Sequence, residues 1–297
     1  MDIISMIKKT KIGKILENVP MSEHTTYKVG GKATIVFPKN IEKLIQLIKL
    51  LDENKINFKI LGNGSNVIFK DSDYEGIIIN LKEFKDINIE GFTVRAGAGV
   101  NLMELAYKTS RLGLTGLEFA TGIPGTLGGA IYMNAGAYKS DMGYIVSEIR
   151  VLTPDLKIMT LYNKDLNFHY RTSFLKENLG YICLEAKLIL KYGNKVEIKK
   201  VIEDRKQKRW LSQPLEYPCA GSVFRNPEND FAGRLIEECN LKGKIIGGAM
   251  ISSKHANFII NHGNASAKDI KDLIKLAQKE VKNKFNIDLY LEQEIIE

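Results

Sequence analysis

Apolar and polar positions divide the chain near residue 195. Before that point short apolar runs alternate with turn residues. Residues 33–37 read as a strand, and Pro38-Lys39-Asn40 then leads into Ile41, Leu44, Ile45, Ile48 and Leu51. Those residues are at helical spacing behind an asparagine cap. Residues 58–61 form the next strand, completing a small β-α-β unit. A strand at 77–81 follows, then a hairpin across Glu90-Gly91 and a helix from about Asn101 that stops at Gly113. Residues 146–152 and 157–161 predict a hairpin turning at Pro154-Asp155, with one more strand at 181–190.

After residue 195 helices come first. Residues 196–211 predict a basic amphipathic helix, and 231–239 a short one. Strands follow at 249–251 and 257–260. Ser266 then caps a long helix with Ile270, Leu273, Ile274, Ala277 and Val281 on one face, before a last strand at 289–296. In that strand Glu292 and Glu294 alternate with Leu291, Gln293 and Ile295, which predicts both carboxylates on one face.

Two glycine-rich runs interrupt this pattern. ATGIPGTLGGAIYMNAGAY at 120–138 gathers glycine and alanine around one proline with almost no charge, and Gly62-Asn63-Gly64-Ser65-Asn66 follows the 58–61 strand. Glycine lets main-chain N–H groups approach phosphate without a Cβ in the way. The same composition also suits tight turns. The run at 62–66 lacks the third glycine of the dinucleotide fingerprint, and the run at 120–138 lacks the Lys-Ser/Thr of a P-loop, which disfavours an ordinary Rossmann or kinase fold.

Bulk properties narrow the field modestly. With 297 residues, 44% of them hydrophobic, the chain can fill more than one core. A net charge of +8 suits an anionic partner, but the basic cluster at 199–209 is broken by acids at helical spacing and reads as a solvated face. Scattered tyrosines and one tryptophan do not give the basic-aromatic interleaving of a nucleic-acid surface. Three cysteines, Cys183, Cys219 and Cys239, have no metal spacing, so no metal site is expected. No apolar run is long enough for a signal peptide or a membrane span, and a cytoplasmic setting is expected.

Four clusters could carry chemistry. Tyr170-Arg171 places a fixed positive charge that can fork onto a carboxylate, although a surface arginine would look the same. Ser222 sits in AGSVFRNP with no nucleophile-elbow spacing, which speaks against a hydrolase and leaves a substrate donor or a turn serine. Lys254-His255-Ala256-Asn257 is a polar cluster between strands, able to meet a sugar or phosphate or simply to lie on the surface. Glu292 and Glu294 fit either a site or a charged edge strand.

Taken in order, HTTYKVGG (24–31), LGNGSNVIF (61–69), GLEFATGIPGTLGGAIYMNAGAY (116–138), YRTSFLK (170–176), AGSVFRNP (220–227), GGAMISSKHANFIIN (247–261) and LEQEI (291–295) resemble the UDP-N-acetylenolpyruvoylglucosamine reductase (UDP-N-acetylmuramate dehydrogenase) family, in its shorter second type. The resemblance covers the chain from about residue 20 onward. It implies an α+β fold, with a two-lobed FAD-binding region of the PCMH (vanillyl-alcohol-oxidase-like) type and a C-terminal α+β substrate domain. The expected bounds are 1–75 and 76–195 for the two lobes and 196–297 for the substrate domain, with the last strand returning to the active site. It further implies an NADPH-dependent flavoenzyme of peptidoglycan precursor synthesis that reduces UDP-N-acetylglucosamine enolpyruvate, acting as a monomer. Another FAD-dependent oxidoreductase on the same scaffold would keep the glycine runs but has no need of the Ser222 and Glu294 motifs.

Carried over by motif, Arg171 resembles the family's active-site arginine, Ser222 its proton-delivering serine and Glu294 its active-site glutamate. FAD contacts are expected from Gly62, Asn63, Gly64, Ser65 and Asn66, and from Thr121, Gly122, Ile123, Pro124, Gly125, Gly128, Gly129 and Ala130. Tyr170, Arg225, Asn226, Lys254, His255 and Asn257 are expected on the UDP-sugar side. Family members commonly continue after the glutamate with Arg-Ile-Ile-Gly, where this sequence has Ile295-Ile296-Glu297. Cys239-Asn240 also departs from the usual small residue and glycine.

Overall fold

The computed structural model describes residues 2–297. The chain forms two compact units. One comprises Met1–Glu17, Thr34–Gly62 and Gly76–Lys206, and the other Asn18–Ala33, Asn63–Glu75 and Gln207–Glu297.

The first unit is built on two sheets. In one the order is Gly13–Pro20, Lys32–Pro38, Ile77–Ile79, Phe58–Ile60. Both Lys32–Pro38 and Phe58–Ile60 run parallel to Ile77–Ile79, which lies between them. The expected β-α-β unit therefore spans one intervening strand rather than joining neighbours. Its helix Ile41–Glu53 starts where Asn40 accepts a hydrogen bond from Lys43 N, and buries Leu44, Leu47, Ile48 and Leu51. The other sheet is antiparallel, in the order Ile158–Tyr162, Val146–Leu152, Ile182–Ile189, Thr93–Gly97, Ile87–Glu90. Helix Leu102–Arg111, capped by Asn101, stops before Gly113 at φ +78°. These elements share one apolar core.

Several elements in the first two-thirds escape the sequence pattern, among them two helices and a long strand. Helix Ile3–Lys9 is capped by Asp2, strand Gly13–Pro20 is half-buried without clear alternation, and helix Leu127–Tyr132 lies inside the longer glycine run. Glycine disfavours helix by about 1 kcal/mol relative to alanine, so local propensity hides this last one. The helix expected at 196–211 is present as Lys195–Ser212, but it buries only Ile198 and Ile202. Val196 and Leu211 are 76% and 68% exposed, so the amphipathic reading does not hold.

The second unit has its own core, in which Tyr27, Val29 and Ile68 pack with Val223, Phe224, Leu235, Ile236 and Leu273. Its small antiparallel sheet runs Ile245–Ile246, Ala249–Ile251, Ile259–Asn261. The strand expected at 257–260 thus starts two residues late, because Asn257 is used otherwise. Helix Ala267–Phe285 carries the expected Ser266 cap, closed reciprocally by Asp269. Asp71 adds a carboxylate that accepts from Ala267 N and Lys268 N at 2.7 and 2.9 Å.

The last strand is Glu294–Ile296, parallel to Val67–Phe69. Leu291 makes an isolated bridge to Phe224, and a bend at residues 292–293 separates the two pairings. The continuous strand that would carry Glu292 and Glu294 on one face is therefore absent. Although Ile295-Ile296-Glu297 replaces the family's usual sequence, the strand is held firmly. Ile296 is buried, and its carbonyl accepts from Lys70 N at 2.9 Å. Among the described residues no helix is long and apolar enough to cross a membrane.

Candidate active site

In the first unit the two glycine runs meet at Gly62 and Thr126. A Cβ on Gly62 would lie 2.5 Å from Thr126 Oγ1, and one on Gly129 would lie 3.3 Å from the same atom. The result is a low, uncharged surface around one hydroxyl. Asn80 Nδ2 fixes the Gly62 carbonyl at 3.0 Å. Thr126 caps helix Leu127–Tyr132, accepting from Gly129 N. Leu127 N donates to Val100 O, Gly128 N to Ala98 O and Ala130 N to Thr126 O. Those N–H groups are thus engaged within the protein, and Gly128 also serves close packing, since its Cβ would lie 2.9 Å from that of Ala98. The physical reading that glycines free N–H groups for phosphate therefore does not apply to this helix start. Ahead of it, Thr121 is buried with its hydroxyl donating to Glu118 O at 2.9 Å. Gly122 and Ile123 are half-buried, Pro124 is exposed, and the buried Gly125 accepts from Leu102 N.

Arg171 sits at the tip of a tight hairpin. His169 and Thr172 exchange both main-chain hydrogen bonds at 3.1 Å, leaving Tyr170 and Arg171 as the corner residues. Arg171 adopts φ +57°, a left-handed conformation that turns its side chain back. Its guanidinium donates to Gly136 O at 2.9 Å and lies 5.1 Å from the Tyr170 ring centroid. The hairpin is anchored from below. Asn134 Nδ2 donates to His169 O at 2.9 Å, and the buried Ser173 donates to Tyr132 O at 2.7 Å.

In the second unit, Asn63, Gly64, Ser65 and Asn66 of the shorter run come beside the last strand. Gly64 has φ +62°, and a Cβ there would lie 2.3 Å from His24 O, so only glycine fits. Asn66 Nδ2 donates to Glu292 O at 3.1 Å, and Asn66 O accepts from Glu294 N at 2.9 Å. Glu292 and Glu294 are both half-buried.

The Ser222 segment packs against the same stretch. Glu292 N donates to Val223 O, and Arg225 N to Tyr290 O. From the other side Asn257 clamps Phe224, accepting from its N at 2.9 Å and donating to its O at 2.8 Å. Ser222 is half-buried, and its hydroxyl has no hydrogen-bond partner among the described residues. The structure thus brings Ser222, Glu294, Asn66 and Asn257 into one neighbourhood of the second unit.

The remaining candidates are more dispersed. Asn226 accepts from Ala232 N and so caps helix Ala232–Glu238. Arg225 Nε is buried without a partner among the described residues. Lys254 lies 3.5 Å from Glu216 and 5.6 Å from the Trp210 ring centroid. His255 Nδ1 accepts from Asn257 N at 3.2 Å, and burial, helped by Lys242, lowers its pKa below the usual histidine value. Burial pushes all three thiols up, Cys183 to about 12, which leaves no ready thiolate.

Sequence reasoning passed over Gln293 and Tyr27. Gln293 Nε2 donates to Ala220 O at 3.0 Å and to Gly221 O at 3.2 Å, while Oε1 accepts from the Tyr27 hydroxyl at 3.2 Å. Both residues are buried. The available signal was the alternation itself, since a residue between two glutamates belongs on the inward face.

Known proteins match this arrangement along nearly the whole chain. A family model described as the C-terminal domain of UDP-N-acetylenolpyruvoylglucosamine reductase matches residues 213–296, and a FAD binding domain matches residues 33–162. A UDP-N-acetylenolpyruvoylglucosamine reductase of Clostridium botulinum (strain Alaska E43 / Type E3) is 46% identical over 95% of this chain and 93% of that relative. One from Bacillus licheniformis is 44% identical over 99% and 98%. The crystal structure of UDP-N-acetylenolpyruvylglucosamine reductase from Thermus caldophilus superposes with a TM-score of 0.82 at 34% identity, covering 96% of this chain and 98% of the other. With identity this high and coverage this complete, the chain is a FAD-binding oxidoreductase that belongs to the UDP-N-acetylenolpyruvoylglucosamine reductase family.

Proposed function

We propose that this enzyme reduces the enolpyruvyl ether of UDP-N-acetylglucosamine enolpyruvate to UDP-N-acetylmuramate, with NADPH as reductant, in peptidoglycan precursor synthesis. The observation that carries this reading is the C-terminal stretch 290–296, whose residues 290–292 bond the backbone beside Ser222 while Glu292 and Glu294 bond Asn66, so that Ser222 and Glu294 are gathered with part of the shorter glycine run. The division of labour proposed is FAD binding by 1–75 and 76–195, and UDP-sugar binding by 196–297.

The residues present suit FAD. Gly62, Thr126 and Gly129 bring neither charge nor a large side chain, and the Gly64 turn packs so closely on His24 O that no side chain fits there. Gly62, Asn63, Gly64, Ser65, Asn66 and residues 121–130 would hold the cofactor. Bound there, FAD would supply the hydride transfer between NADPH and the terminal carbon of the enolpyruvyl group.

The chain's own residues supply the field and the proton. Hydride addition makes the adjacent carbon an enolate and loads charge onto the substrate carboxylate. Arg171, prealigned by its hairpin and by Gly136 O, offers a fixed positive charge to that carboxylate. The Ser222 hydroxyl, not committed to a partner in the protein, delivers the proton to the enolate carbon and is reprotonated from solvent. Glu294 orients this exchange. Tyr170, Arg225, Asn226, Lys254, His255 and Asn257 serve the UDP-sugar side, with Arg225 Nε as a buried donor awaiting an acceptor.

The test is flavin absorbance under anaerobic conditions. Addition of NADPH is expected to bleach the yellow protein, and UDP-N-acetylglucosamine enolpyruvate to restore the colour promptly, with ping-pong steady-state kinetics. Colour that returns only with oxygen would leave the cofactor in place and remove the substrate assignment.

A further inference from the structure

Gly221 is the weak point of the Ser222 segment. It has φ +71°, and a Cβ built there would meet no atom within 4 Å, so no side-chain packing restrains it. Glycine there leaves both flanking peptide planes wide rotational freedom. From Val223 onward the segment is fixed, by Asn257 O on Val223 N and by the Asn257 amide on Phe224. Two bonds from the bend just before the last strand restrain the peptides around Gly221. The two Gln293 Nε2 bonds fall on Ala220 O and Gly221 O, the carbonyls of the peptides on either side of Gly221.

We infer that Gln293, backed by Tyr27, is a positioning residue for proton delivery: it clamps both peptides around Gly221 and so sets the direction of the Ser222 hydroxyl. This rests on the reading of Ser222 as the proton donor. An amide can be placed either way round, and the Tyr27 hydroxyl, donating to Oε1 at 3.2 Å, selects the orientation that turns the NH2 toward both carbonyls. Burial pushes the Tyr27 pKa up, so the hydroxyl keeps its proton and remains a donor. Gln293 and Tyr27 are 3% and 0% exposed. Burying three polar groups carries a desolvation cost that an apolar residue of similar size would avoid, whereas a hydrogen-bonded amide adds directional restraint. Gln293 also sits between Glu292, bonded to Val223 O, and Glu294, bonded to Asn66 O. One side chain thus ties the Ser222 loop to the strand carrying Glu294.

The experiment uses the FAD-loaded enzyme and rapid anaerobic mixing, timing the NADPH step and the enolpyruvyl step separately, in water and in deuterated water. Variants are Gln293→Leu, Tyr27→Phe and Gln293→Glu, with Ser222→Ala as reference. Gln293→Leu is expected to slow the enolpyruvyl step about 10- to 100-fold, the scale of a small misplacement of a reacting group. Its solvent isotope effect should rise, and the NADPH step should stay within about twofold, since uniform damage would touch both steps. Tyr27→Phe should move the same step less. Gln293→Glu should regain rate relative to wild type as pH falls, because a protonated carboxyl can donate one of the two lost bonds.

Equal loss in both steps, or none in either, while Ser222→Ala slows the enolpyruvyl step, would overturn the inference and leave the role of Ser222 standing. An enolpyruvyl step untouched by Ser222→Ala would instead remove the reading on which the inference rests. If Gln293→Leu fails to fold, Tyr27→Phe, which keeps the amide and removes a single oxygen, decides by the same criteria.

Discussion

Arg171 and Ser222 are proposed for the same reaction, yet they are held by very different stretches of chain. The Arg171 hairpin closes on itself between His169 and Thr172, and its longer anchors, Asn134, Gly136 and Tyr132, lie 35 to 41 residues away. The Ser222 segment depends on Asn257, on Gln293 and, through Gln293, on Tyr27, which lies 266 residues from Gln293 in sequence. Closing long loops has an entropic cost that must be met before the contacts stabilise anything. The arginine's geometry is therefore a property of one local hairpin, whereas the serine's is a property of the whole second unit.

The sharpest way to separate the two is Arg171→Gly. Arg171 is a non-glycine residue at φ +57°, a conformation costing roughly 1–2 kcal/mol. Glycine removes that strain along with the guanidinium bond to Gly136 O and the Tyr170 contact. Turnover is expected to fall about 100- to 1000-fold, or about 3–4 kcal/mol of transition-state stabilisation. Urea unfolding should stay within about 1 kcal/mol of the parent, because strain relief offsets one lost hydrogen bond. A large stability loss would mean that the hairpin needs the arginine to form.

Asn257→Ala should produce the opposite pattern. Its amide satisfies both main-chain groups of the fully buried Phe224, and alanine leaves an N–H and a C=O without partners. The expected loss is about 2–4 kcal/mol in urea unfolding. Hydrogen exchange should rise at residues 220–225 and 290–293 and stay unchanged in the 169–172 hairpin. Equal loosening of both would refute the independence of the two supports.

This contrast also explains what the sequence could and could not reveal. Helices Ile41–Glu53 and Ala267–Phe285 were legible because Asn40 and Ser266 cap clean apolar periods. The hairpin at 87–97 was legible from Glu90-Gly91. Arg171 stood out by residue type, but its positive φ and its bond to Gly136 O had no local signature. Helix Leu127–Tyr132 was hidden by its own glycines, and the bend at 292–293 by a perfect alternation that tertiary pairing overrides. Ser222 and Glu294 were reached through family motifs rather than through pattern. The clamp formed by Gln293 and Tyr27 joins residues too far apart for any window to see.

The smallest expected effect concerns pH, and it again touches only the serine side. His255 Nδ1 accepts from Asn257 N, so the neutral ring supports the residue that clamps Phe224. Burial first, then the positive charge of Lys242, lowers its folded pKa, with Glu237 opposing. Because the folded pKa lies below the unfolded one, the unfolded chain takes up the proton first as pH falls. The stability this group contributes is therefore fully present above the ordinary histidine pKa and is lost as pH drops from there toward the folded value. The urea midpoint should decline over that interval in wild type and decline less in His255→Gln, which cannot charge. Hydrogen exchange at 220–225 should quicken over the same interval, while the 169–172 hairpin stays as it was. A midpoint equally steep in both proteins would assign the acid sensitivity to another group and leave Asn257 supported without the imidazole.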